Sequence, residues 1–204
     1  MKMPKTSDVV AFHDSFHSAA GWAMSGARKH SAGVWNAIED NHRCNCLLWD
    51  EEDLARRRNV PDSEIAANKR AIDGYNQKRN DAIERVDEEL LNLLSEIKNN
   101  ERAKLNSETP GAMVDRLSIL SLKIHHMRLQ TLRSDVDSAH IDGCQAKLNR
   151  LVEQRTDLAA CLDRLLAEAV RGETRFKVYR QFKMYNDPAL NPALYGESKP
   201  PTRS

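Results

Sequence analysis

The residues with the most chemistry to offer are polar side chains standing where apolar ones are expected. Trp35, Ile38, His42, Asn45, Trp49, Glu52 and Arg56 recur at the spacing of one helix face, yet this stripe turns from apolar to ionisable half-way along. In the next periodic run, from Ile65 to Ile97, Asn76 and Arg79 interrupt an apolar row, with Asn80 beside them. Arg116 and Lys123 share a face of a further run, and Arg155 stands between Leu151 and Leu158. A charge buried unpaired is very costly, so these residues pair with one another, open on a cleft or meet a ligand. One reading is a cleft lined by His42, Glu52, Asn76, Arg79, Asn80, Glu108, Thr109 and Arg116. The other is a hydrogen-bonded network that fixes helix register.

The stretch LNSETPGAM, residues 105–113, adds to the first reading. Thr109 is placed as an N-cap and Pro110 as the first helical residue, followed by Met113, Leu117, Leu120, Ile124 and Met127. A helix start offers free N–H groups and a positive dipole end, and Gly111 would let a ligand approach the backbone closely. An ordinary Thr-Pro cap is the plainer alternative. In the cleft reading the ligand is an anionic small molecule, a phosphorylated sugar or a nucleotide. Arg79 and Arg116 hold it, Glu52 or Glu108 acts as general base and His42 is the acid–base partner. Asn45, Trp49, Asn76, Asn80, Thr109 and Gly111 complete the binding set.

Other signals are weaker. His13 and His17 have the spacing of a helical metal pair, but no HExxH or ExxH accompanies them, so they read as surface or edge histidines and no metal site is expected. His125 and His126 are adjacent and point in different directions, so at most one joins a site. DEEDLA at 50–55 and ERVD at 84–87 faintly resemble the acidic pattern of Mg²⁺-dependent all-α nucleotide pyrophosphohydrolases, with Ala55 in place of one Glu. RFKVYRQFKMY, residues 175–185, interleaves basic and aromatic residues in a manner that suits single-stranded nucleic acid, but docking onto the chain's own core is favoured.

The elements that must carry these residues are helices. Aromatic content of 5% and only 8 glycines in 204 residues argue against a β-sandwich. The periodicity predicts an all-α, up-and-down bundle of about five helices, at about 8–24, 32–58, 63–98, 110–131 and 143–171. Ser7, Ser31 and Asp62 are candidate caps, and a bend near Gly74 is possible in the long third helix. Residues 1–172 form the bundle; 173–204 are an irregular docked tail whose last eight residues are disordered. A formal charge of +1 gives no field for nucleic acid or an anionic membrane. The absence of a long apolar run or signal segment, and four cysteines without CxxC spacing, suit a cytoplasmic protein with reduced thiols. A homo-oligomer or a protein partner is open, no cofactor is indicated, and a non-catalytic accessory or assembly protein is the main alternative to the binding cleft.

Four segments together resemble a known family: HRCNCLLWDEEDLARR (42–57), KRAIDGYNQKRNDAIERVD (69–87), LNSETPGAMVDRLSILSLKIHHM (105–127) and RFKVYRQFKMYNDPALNPALYG (175–196). They are similar to a bacterial family known as domain of unknown function 4254 (DUF4254), over about residues 35–196. The NQKRND and NSETPG strings are its most specific motifs. The resemblance implies no established activity; an association with surface-glycan and glycosyltransferase genes points toward sugar-nucleotide or glycan chemistry. The family pattern has a histidine after the tryptophan, where this chain carries Asp50. Were that histidine catalytic, activity here would be affected.

Overall fold

The computed structural model describes residues 3–197 other than 18, 20, 99, 183, 185 and 186. The chain is all-α: α1 Thr6–Asp14, α2 Trp22–Ser25, α3 Gly33–Leu54, α4 Asp62–Leu93, α5 Pro110–Thr131, α6 Ser138–Val170 and α7 Pro192–Glu197. α3 packs most extensively on α4, and α5 on α6, with α5 also touching α1, α3 and α4. The bundle is thus two helical hairpins closed by α1. Its core runs through Val9, Ile38, Val86, Leu90, Leu117 and Leu162, all almost completely buried.

Local chemistry sets the helix ends. Thr109 caps α5 by accepting from Ala112 N–H at 3.2 Å, with Pro110 at the first position, as expected. Asp62 and Glu64 occupy the first turn of α4, where negative charge meets the positive helix end, although the cap position itself is Pro61. Gly172, at φ 69°, stops α6. α4 continues through the exposed Gly74 as one helix of 32 residues.

Several boundaries differ from expectation. The first helix ends at Asp14 rather than near residue 24, because the chain must turn for Phe16 to stack on Trp22, with ring centroids 3.6 Å apart. Neither Ser7 nor Ser31 caps a helix; the cap positions are Lys5 and Ala32, without side-chain hydrogen bonds. α4 ends at Leu93, short of residue 98. α6 begins at Ser138 instead of 143, because Asp137 accepts from His140 N–H at 2.8 Å, and Gly143 sits in open space where a helix tolerates it.

Two short strands, β1 Lys104–Leu105 and β2 Thr174–Arg175, pair in parallel, Lys104 opposite Thr174. Nothing in the sequence pattern announced them. The tail beyond is docked only in part. Phe176 is buried and Arg180 bridges Glu84 and Glu88 on α4, whereas Tyr179 and Phe182 are exposed. Tyr185 and most of the last eight residues lie outside the described residues.

Candidate functional site

The polar interruptions of α5 form a spine. Asp115, Ser118 and Ser121 lie at i, i+3 and i+6 and all are buried. Asn41 and Asn45 of α3 donate their amides to Asp115 Oδ1 at 2.8 and 2.9 Å, and Asn45 also reaches Ser118 Oγ at 3.0 Å. His42 Nδ1 meets the same Ser118 hydroxyl at 2.8 Å. Burial pushes the His42 imidazole down to about 3, helped by the nearby His17, so the ring is neutral at physiological pH. His13, whose ring centroid lies 4.6 Å from that of His42, is lowered well below its ordinary value mainly by complete burial, and further by any proton placed on His42. Neither ring nitrogen of His13 has a hydrogen-bond partner among the described residues.

At its outer end the spine meets a cleft. Asn45, Trp49 and Glu52 from α3, Asn76 and Arg79 from α4, and Ile119 and Leu122 from α5 line a cavity of about 280 Å³. Asp115 lies 3.8 Å from Arg79 Nε, close enough for ion pairing but too long for a hydrogen bond, and this buried Nε has no hydrogen-bond acceptor among the described residues. The Trp49 indole N–H is likewise buried without a partner. Glu52 is held by Arg56 at 2.8 Å.

Five of the eleven residues singled out by sequence therefore meet at one cavity; the others lie elsewhere. His42 is enclosed in the spine. Asn80 is buried on α4 and does not line the cleft. Glu108 and Arg116 pair at 2.5 Å and line a separate groove of about 600 Å³ between α5 and α6. At the start of α5 the anion is internal: Gly111 N–H donates to Asp87 Oδ1 at 2.6 Å, alongside the Thr109 cap. Gly111 is needed for the approach of α4, since a Cβ there would lie 2.3 Å from the Ile83 carbonyl oxygen. Burial raises the Asp87 carboxyl to about 6, against hydrogen bonds from Thr109 and Gly111 that lower it.

The pyrophosphohydrolase pattern is not assembled. Asp87 is committed to the α5 cap and Glu84 to Arg180, and no group of three His, Cys, Asp or Glu residues placed to hold a metal ion occurs among the described residues.

The histidines are the main surprise. His17 Nε2 lies 2.7 Å from Ser121 Oγ, and Ser121 donates to Asp14 Oδ1 at 2.5 Å. Arg155 of α6 donates to both Asp14 oxygens at 2.8 and 2.9 Å, which explains a cation between Leu151 and Leu158. Although burial alone would raise it, these bonds from His17, Ser121 and Arg155 hold the Asp14 carboxyl well below the usual carboxylate range. His17 stacks on His125 at 4.6 Å, and His126 stacks on Trp49 at 4.3 Å. His17, His125, His126, Cys46, Asp50 and Trp22 share a second cavity of about 270 Å³ on the other side of Trp49. His13 is fully buried rather than at the surface, His17 is half-buried at the edge of the bundle, and both His125 and His126 line one cavity rather than at most one. Helix α5 alone would splay the two rings, but His17, which follows α1, stacks on His125 while Trp49 stacks on His126. Burial raises the Cys44 thiol to about 11 and Cys46 to about 12, which leaves both unreactive near neutrality.

The family model for "Protein of unknown function (DUF4254)" matches residues 35–178. The chain belongs to this family. The matched stretch contains all but the first two residues of α3 and the whole of α4 to α6, hence every residue of the cleft, while His13, Asp14 and His17 precede it. No curated protein and no solved structure matches this DUF4254 chain. No helix among the described residues is long and apolar enough to cross a membrane.

Proposed function

We propose that this DUF4254 protein binds an anionic small molecule, a sugar phosphate or nucleotide, in the cleft between α3, α4 and α5. The observation that carries the reading is Arg79, whose buried Nε faces Asp115 at 3.8 Å without a hydrogen-bond acceptor among the described residues. A guanidinium in a fixed fork is suited to a phosphate or carboxylate, and Asn76 and the Trp49 indole supply neutral donors around it. Of the three acid–base candidates only Glu52 opens on this cleft, so proton transfer to a bound ligand would fall to Glu52.

The test is a thermal-shift and calorimetric screen with inorganic phosphate, sugar phosphates and nucleotides. A ligand at 100 times its Kd stabilises by about 2.7 kcal/mol, a readily measured rise in midpoint. Arg79→Ala should abolish the rise and Glu108→Ala should leave it intact. A rise that survives Arg79→Ala would sink the cleft.

The satisfied, fully buried network of Asn41, His42, Asn45 and Ser118 supports a second reading, a non-catalytic accessory protein whose polar residues fix register. In that case Arg79→Ala lowers stability and no ligand in the screen moves the midpoint.

A further inference from the structure

Two stretches of the chain repeat one pattern. Lys123, His126, Met127 and Gln130 lie at i, i+3, i+4 and i+7 on α5; Lys147, Arg150, Leu151 and Gln154 do the same on α6. Each helix therefore presents on one face a lysine, a second basic-type residue, an apolar residue and a carboxamide. These eight residues line a single groove of about 750 Å³, with Trp49 and Asp53 of α3 at its edge.

The groove has a pronounced chemical bias. Lys123, Lys147 and Arg150 form no hydrogen bond or ion pair among the described residues, and Asp53 is the one carboxylate in the lining. Most arginines near the two hairpins are tied to a carboxylate, as Arg79, Arg85, Arg116, Arg133 and Arg155 are. Met127 and Leu151 supply an apolar floor, and the Trp49–His126 stack, with rings only 11° from parallel, forms an aromatic step at one end. Burial lowers the His126 imidazole, so the step is uncharged.

We infer that this groove is a nucleotide site, with the heterocycle laid against the Trp49–His126 step and the phosphates among Lys123, Lys147 and Arg150. Inorganic anions would use the cations but neither the aromatic step nor the floor. A fatty anion would use the floor but neither carboxamide. A nucleoside phosphate uses all three, with Gln154 free to read a heterocycle edge. The groove is a second site beside the proposed cleft, with which it shares Trp49 and Asp53.

The experiment is calorimetry with tryptophan fluorescence, titrating UDP, ADP, uridine and inorganic phosphate into the full chain. A nucleoside diphosphate should bind at least tenfold more tightly than either uridine or phosphate and quench tryptophan emission. Lys147→Glu with Arg150→Glu, both exposed and therefore harmless to folding, should weaken it at least tenfold. Nucleotides that bind no better than phosphate, or binding indifferent to the charge reversal, would overturn the inference. Phosphate binding lost in Arg79→Ala under those circumstances would leave the cleft reading standing without the groove. Nucleotide binding untouched by Arg79→Ala but lost on charge reversal would do the opposite.

Discussion

Two kinds of buried group, histidine and aspartate, pull stability in opposite directions as pH changes. His42 in the native chain takes a proton only near pH 3, and His13 also resists protonation, whereas both rings in the unfolded chain charge near pH 6.5. Between those values the unfolded state binds more protons. The contribution of these histidines is therefore fully present above about pH 6.5 and is lost as pH falls, with a slope of up to about 1.4 kcal/mol per pH unit for each. The thermal midpoint should drop steadily from pH 6.5 to 4; a flat profile would show that the rings reach water. Asp87 has the reverse sign. Its carboxyl is raised to about 6 from an ordinary 3.8, so it favours the fold below about pH 4 and that contribution is lost as pH rises through 6. Asp87→Asn keeps an oxygen for the Gly111 N–H and removes the buried charge. It should stabilise by on the order of 2 kcal/mol at pH 8 and by almost nothing at pH 4, as denaturant titrations at the two pH values would show.

At the scale of elements, the crossing of α4 and α5 depends on a single absent methyl group. A Cβ on residue 111 would sit 2.3 Å from the Ile83 carbonyl and 3.0 Å from the Asp87 carboxyl, and backbone cannot swing aside as a flexible side chain can. Gly111→Ala should cost roughly 1–3 kcal/mol, read from chemical denaturation, and more if the Asp87 cap is lost with it. Periodicity found α3, α4, α5 and most of α6, because each has a long apolar face and, for α5, a Thr-Pro start that no other local structure explains. It misjudged α1 for a tertiary reason and the start of α6 for a local one. Phe16 leaves the helix to stack on Trp22, and Asp137 finds a backbone N–H that a pattern of apolar residues does not record. Gly111 drew notice in the sequence as a point of ligand approach; the chain uses it for helix approach instead. A glycine in a first turn says that something comes close, without saying what.

For the whole molecule, the polar residues on apolar stripes were visible in the sequence, but their partition was not. Asn45, Trp49, Glu52, Asn76 and Arg79 meet because α3 and α4 pack on each other as one hairpin. Glu108 and Arg116 lie on the far side of α5, a rotation that one-dimensional spacing leaves undetermined. The histidine cavity depends on residues from the turn after α1, from α2, α3 and α5 that are far apart in the chain, and only the fold reveals that they converge. The parallel pairing of Lys104 with Thr174 has a last consequence. It brings together the points where the chain enters and leaves the α5–α6 hairpin, so the intervening segment becomes a closed ring of backbone fastened at one place. Forming that fastening incurs the loop-closure entropy of the entire segment once, and the logarithmic dependence on length keeps the cost modest. Thereafter the hairpin is a tethered body whose local concentration against α3 and α4 is set by a tie only two residues long.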